Sequence, residues 1–272
     1  VTFEPRAVRP GDWRFDIGAV RGSAGSVSLL FQALLLPLAR AGGESRLTLI
    51  GGTHVPWSPP VHYLTEVFLP ALAAAGLRAS VELRRWGWYP AGGGEIGALI
   101  EPVPALHGFR AEGPEPGGRV RGLSAVSRLP RTIAERQKKG AEERLAADGL
   151  AADIAVEEDR TALGPGTLMF LAIRGRAGFS ALGRRGLPAE RVGAAAAADL
   201  VAWWRTGAAV DEHLADQILP FLALASTPSA YTCPTVSSHL ATVAWVVGRF
   251  VPAHVELTPG PPARVAVTPA GG

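Results

Sequence analysis

The feature that most constrains how this chain can fold is a recurring Leu-Pro element. LLLPLARAGG (34–43), VFLPALAAAG (67–76) and QILPFLALAS (217–226) each carry Leu-Pro followed by Leu-Ala within an apolar helical pattern. The first two end at glycine and lead into alternating segments, RLTLIGG and ASVELRRW, that read as strands. The third leads into SAYTCP, a weaker strand candidate, and a fourth helix, from about 238 to 250, leads into AHVELTP. The pattern predicts a repeated helix-then-strand unit in four copies, hence an α/β (α+β) fold of repeated helix–strand units forming β/α layers. Proline inside a helix costs about 3 kcal/mol. Its recurrence at Pro37, Pro70 and Pro220 predicts a shared kink; shared Leu/Pro/Ala composition is the plainer explanation.

Between about 120 and 206 the Leu-Pro helices stop. TIAERQKKGAEERLAADG reads as an amphipathic helix, with Thr132 and Glu135 spaced as a capping box and Gly149 as its stop. DIAVEE, TLMFLAIRG and a short GFSAL read as strands, and PAERVGAAAAADLVAWWRTG as a helix opened by Pro188. This predicts a small α/β module inserted between repeat units, entered through the Pro/Gly-rich EGPEPGGR (112–119). The expected division is 1–116, 117–207 and 208–272.

At 272 residues the chain is long enough to bury a real core, and 47% hydrophobic content excludes global disorder. The formal charge of +3 carries no general nucleic-acid signal. Lys138 and Lys139 are the only lysines. One cysteine, Cys233, excludes an internal disulfide and fits a reducing compartment, so a cytoplasmic location is expected. No apolar run approaches the roughly 20 residues of a membrane span. The opening VTFEPRAVRPGDWRF has charges and prolines where a signal peptide would be apolar, and lacks an initiator methionine.

Five stretches could carry chemistry. RGSAGSVSLLFQ (21–32) is a small-residue loop running into a helix, suited to a phosphate but equally to an ordinary capped turn. GGTHVPWSPPVHY (51–63) and GWYPAGGGE (87–95) are rigid or glycine-rich loops; His54 and His62 lack metal-ligand spacing and read as surface residues. In VDEHLADQILPF (210–221), His213, Asp216 and Gln217 share one helix face. Asp and Gln there can hold a ribose or a metal-bound phosphate, and a solvated polar face explains the same triple. In CPTVSSHLATVAWVVGRF (233–250), Ser237 or Ser238 is a good N-cap, which puts His239 in the first turn. There the helix dipole disfavours the imidazolium and leaves a lone pair for nucleophilic attack. A satisfied helix-start histidine fits the same residues. Cys233 lacks the third group that a thiol enzyme would need.

VRPGDWRFDIG, SAGSVSLLFQ, GGTHVPWSPPVHYL, GWYPAGGGE, HLADQILP and SSHLATVAWVVGRF occur together in an order that resembles the RNA 3′-terminal phosphate cyclase family. The resemblance covers nearly the whole chain. It implies repeated β/α units with an inserted small thioredoxin-like α/β domain. It also implies an ATP-dependent enzyme that converts an RNA 3′-phosphate to a 2′,3′-cyclic phosphate through a histidine–AMP intermediate and an RNA-adenylate. His239 matches the family's nucleophile. His213, Leu214, Ala215, Asp216 and Gln217 match its nucleotide-contacting run, Gln32 a second nucleotide contact, and Pro60 and Phe179 residues that pack on the adenine. ATP with Mg²⁺ or Mn²⁺ and an RNA with a 3′-phosphate end are the implied partners; no metal ligand is assigned. Arg84, Arg85, Arg119 and Arg121 are candidate RNA backbone contacts. The family's glycine-rich N-terminal motif has no counterpart in this sequence, so a truncated chain is expected, and AVRG before SAGS is an unexplained insertion. Two rivals remain. A non-catalytic, ribosome-assembly relative would lack the nucleophilic histidine, and an enolpyruvyl transferase would need Lys/Arg clusters.

Overall fold

The structure, a computed structural model, describes residues 2, 4, 6–19, 22–113 and 119–269. The predicted entry linker and the AVRG insertion fall largely outside the described residues, as does much of VTFEP.

Two copies of one β-α-β-α-β-β unit account for most of the chain. The first contains β1 (Asp12–Asp16), α1 (Val27–Ala39), β2 (Ser45–Gly51), a second helical segment, β3 (Ala79–Arg85) and β4 (Gly94–Ile100). Its sheet order is β1-β2-β4-β3, with β1 parallel to β2 and both β2 and β3 antiparallel to β4. The second contains β5 (Arg110–Ala111), helices α6 (Glu212–Gln217) and α7 (Leu219–Leu222), β10 (Ser229–Cys233), α8 (Ser238–Phe250), β11 (His254–Thr258) and β12 (Ala263–Thr268). Read from its other edge, this sheet is β5-β10-β12-β11, the same order and the same strand senses. The four helix–strand pairs are therefore two per unit. The additional strands β4 and β12 each pair with both strands of their unit's helix–strand pairs. SAYTC, the weakest candidate, is a central strand.

The shared kink does not hold. α1 runs through Pro37 as one α-helix. The second helical segment passes from α2 (Val61–Tyr63) through a π-helical turn (Leu64–Phe68) into α3 (Leu69–Ala74), and Pro70 follows that turn. Pro220 sits where α7 restarts after the break at Ile218. Only these two prolines mark discontinuities, because there the missing N–H coincides with a change of helical register.

Between β5 and α6 lies a third sheet, built from β6 (Val120–Ser127), β7 (Ala152–Asp159), β8 (Gly166–Ile173) and β9 (Ala177–Leu182) in the order β7-β6-β8-β9. β6 and β7 are parallel and flank α4 (Arg131–Ala146); β8 and β9 are antiparallel and precede α5 (Ala189–Thr206). This is the strand order of a thioredoxin-like unit. Met169, Leu171 and Ile173 join a core with Leu145, Val192 and Leu200 of the helices, while Leu168, Phe170 and Ala172 on the opposite face join the main core. β8 is thus buried on both faces, which is why TLMFLAI reads as a continuous apolar run. The capping box is absent: Pro130 is the N-cap of α4, and Glu135 instead pairs with Arg131 at 3.2 Å. Gly149, at φ +71°, turns the chain after the helix as expected.

Candidate active site

α8 begins as its sequence requires. The Ser237 hydroxyl accepts from Leu240 N at 3.1 Å, so Ser237 is the N-cap and His239 lies in the first turn, exposed. Leu240 beside it is fully buried and anchors the turn. The imidazole is therefore on a fixed backbone with its ring open to an incoming group.

α6 packs against α8. Its N-cap is Asp211, a residue that the sequence reading passed over although Asp before Glu-His-Leu is a capping signal. The Asp211 carboxylate is buried and accepts from His213 N and Leu214 N at 2.8 Å, from Gly178 N at 2.9 Å, and from the Tyr63 hydroxyl at 3.0 Å to each oxygen. Burial raises its pKa, opposed by the N–H groups of Leu214 and Gly178, the neighbouring His213 and the Tyr63 hydroxyl. One side chain thus joins the second helical segment, β9 and the start of α6. Tyr231, fully buried beneath, donates its hydroxyl to the Ala215 carbonyl at 2.7 Å.

On that support the helix presents His213 outward, keeps Leu214 and Ala215 in the core, and leaves Asp216 and Gln217 half-buried. Gln32 Nε2 of α1 donates to Gln217 Oε1 at 2.7 Å across 185 residues of sequence. Burial lifts the Asp216 carboxyl to about 6, and the charges of both His213 and His239 pull it back down. Asp216 therefore lies within electrostatic reach of both imidazoles. Gln32, His213, Asp216, Gln217 and His239 converge; Leu214 and Ala215 are packing residues of the same turn. Ser26 caps α1 by accepting from Leu29 N at 3.3 Å, and Ser23 accepts from Gly25 N at 3.1 Å, so SAGS is a capped turn.

Pro60 is buried as the N-cap of α2, one turn before Tyr63. Phe179 stands apart. It packs with the α5 core, its ring 5.9 Å from Trp203, whereas its neighbour Gly178 faces Tyr63 and Val67. Alternation along β9 turns Phe179 to the helix-covered face, away from Asp211. Arg84 and Arg85 lie on β3 within 4 Å of Glu95.

The surface placement of the two histidines is corrected. His54 is 1% exposed, stacked on Trp86 at 4.2 Å, and its Nε2 lies 3.0 Å from His62 Nδ1. Its Nδ1 lies 2.7 Å from the Thr53 hydroxyl, which in turn accepts from Gly87 N. Burial, then the charge of His62, pushes the pKa of His54 well below its ordinary value; burial lowers His62 to about 4. Both are neutral; His54 is packed by Trp86 and Trp88, and the half-buried His62 lies against Trp86 and Phe170. Cys233 is buried, its thiol pushed up to about 11 by burial and by Glu212, which makes it inert as a nucleophile.

Among the described residues no helix is long and apolar enough to cross a membrane, and no group of three or more His, Cys, Asp or Glu is disposed to hold a metal ion. The family model of RNA 3′-terminal phosphate cyclase matches residues 1–257. Proteins carrying that name are similar across most of the chain. That of Methanopyrus kandleri is 42% identical over 282 residues, covering 100% of this chain and 79% of its own length. That of Methylococcus capsulatus is 44% identical over 258 residues, covering 93% and 71%. That of Pyrobaculum aerophilum is 38% identical over 253 residues, covering 92% and 72%.

Proposed function

The chain belongs to the RNA 3′-terminal phosphate cyclase family, and from that premise we propose that it adenylylates itself on His239 and uses the AMP to cyclise an RNA 3′-phosphate. The observation that carries this reading is the placement of His239 in a capped, exposed first turn within electrostatic reach of Asp216. The substrate is ATP with its magnesium or manganese ion.

In the first step an imidazole nitrogen of His239 attacks the α-phosphorus of ATP. The bond to the bridging oxygen breaks, pyrophosphate leaves, and the imidazole N–H proton is released as the phosphoramidate forms. Asp216, whose carboxyl titrates near 6, stabilises the positive charge that the ring carries during attack. Gln32 and Gln217, already bonded to each other, offer amide groups to the nucleotide. In the second step an RNA 3′-phosphate oxygen attacks the same phosphorus and displaces the imidazole. In the third the neighbouring 2′-hydroxyl attacks the RNA phosphorus, expels AMP and closes the 2′,3′-cyclic phosphate.

The test is incubation with α-labelled ATP and magnesium or manganese. We expect an acid-labile, alkali-stable label on the protein that is lost in His239→Ala. A folded protein that takes up no label, or a label that survives the substitution, refutes the assignment.

A further inference from the structure

Trp57 is fully solvent-exposed, at 101%, although tryptophan is among the most costly side chains to leave in water. It is not on a frayed segment. Val61 N bonds to the Thr53 carbonyl at 3.2 Å across the base of its loop, the Ser58 hydroxyl bonds to the Val55 carbonyl at 3.3 Å, and Val55 and Pro60 are buried. At the tip Trp57 adopts φ +64°, a conformation that costs a bulky residue about 1 kcal/mol or more. The loop thus holds an indole outward on a rigid base.

A second exposed aromatic stands on the neighbouring loop. His54 forms a β-bridge with Trp88, and the next residue, Tyr89, is 69% exposed. Leu163, 60% exposed, lies against Gly93 of that loop. Gly92 in turn packs on Ser23 and Ala24, the turn that enters α1 and leads to Gln32. A cleft of about 460 Å³ lined by Arg128 and Arg160 adjoins this surface: Arg128 Nε donates to the carbonyl of Ala162, next to Leu163, at 2.6 Å, and Trp88 Nε1 donates to the hydroxyl of Ser127, next to Arg128, at 2.7 Å. Both acidic groups that line the cleft have partners, one of them Arg160 itself. Asp159 accepts from Ser127, Thr161 and Ala162, and Glu158 pairs with Arg160, whose side chain is the more exposed of the two, at 86% against 35%.

Rigid aromatic faces next to exposed guanidinium groups suit unpaired nucleotides, because every base offers a π-face while the phosphates follow the cations. We propose that Trp57 and Tyr89, with Arg128 and Arg160 beside them, form a stacking platform for the unpaired nucleotides behind the 3′-end of the RNA substrate. The inference rests on the cyclase reading, and names where that substrate lies.

The experiment is fluorescence anisotropy with a labelled single-stranded RNA of about ten nucleotides ending in a 3′-phosphate, using the full chain. Trp57→Ala and Tyr89→Ala are each expected to weaken binding roughly 10-fold, as loss of one stacked base does. Trp57→Phe should restore most of it. Phe250→Ala, which removes an exposed aromatic on α8, should change nothing. Wild-type affinity in both alanine variants overturns the platform. So does equal weakening in Phe250→Ala, equal weakening for a blunt duplex, or no RNA binding by the unaltered chain. Labelling by α-labelled ATP separates the two ideas: label without any dependence of RNA binding on Trp57 removes the platform alone. Dependence on Trp57 without label removes the His239 chemistry alone.

Discussion

Removing the Tyr63 hydroxyl tests whether Asp211 joins the parts of the site. In the native protein the hydroxyl donates to both oxygens of a carboxylate that is 2% exposed. Tyr63→Phe takes away one of four donors and leaves the N–H groups of His213, Leu214 and Gly178 in place. A hydrogen bond to a charged group contributes about 1.5–3 kcal/mol, so a loss of about 2 kcal/mol is expected. Asp211→Ala removes the α6 cap, about 1 kcal/mol, and strands the Tyr63 hydroxyl and Gly178 N–H at about 1–3 kcal/mol each. Its total should approach 4–5 kcal/mol. The double variant should then fall short of the sum by about 2 kcal/mol, since the Tyr63–Asp211 bond can be lost only once. Urea titration followed by tryptophan fluorescence and far-UV circular dichroism measures all four proteins. Tyr63→Phe within 0.5 kcal/mol of the parent, or strict additivity, would show that the bond does not hold these elements together.

Asp216, raised to about 6 by burial, binds its proton more tightly folded than unfolded, so its burial costs stability that grows as pH rises from about 4 to 6. Two units correspond to about 3 kcal/mol; discounted for its partial exposure, Asp216→Asn should stabilise the protein at pH 7 by about 1–2 kcal/mol while impairing adenylylation. His62 has the opposite sign. With its pKa at about 4, the native state excludes a proton that the unfolded chain accepts below about 6.5, so stability should fall as pH drops through that window. The upper bound is about 3 kcal/mol, nearer 2 given its half-buried edge, and urea midpoints for His62→Asn should show a flatter acid limb. Gly193→Ala should destabilise by 2 kcal/mol or more despite alanine's better helix propensity, because a Cβ there meets the Gln137 carbonyl where α5 crosses α4; a thermal midpoint at or above the parent's would refute the close crossing.

Local pattern located α8 at 238–250 and its serine cap, the strands after each Leu-Pro helix, and the strand–helix order of the insert. These follow from side-chain period and capping chemistry, which act over a few residues. Family resemblance, not spacing, singled out Gln32, and nothing local says that it meets Gln217. What the sequence could not decide was which polar residues are buried. His54 and His62 have no apolar period around them, yet Trp86, more than twenty residues on, lies against both, with Trp88 against His54 and Phe170 against His62. Asp211 reads as an ordinary cap until Tyr63 and Gly178 arrive from other elements. Phe179 matches an adenine-packing position, but strand alternation in the assembled sheet turns its ring to Trp203. The sequence alone therefore determined the helices, most strands and the turn that carries His239, because these depend on neighbours along the chain. Tertiary structure decided the two-unit topology, the buried histidines and the convergence on Asp216, because a polar group's partner, and so its burial, is chosen across distances that no local pattern spans.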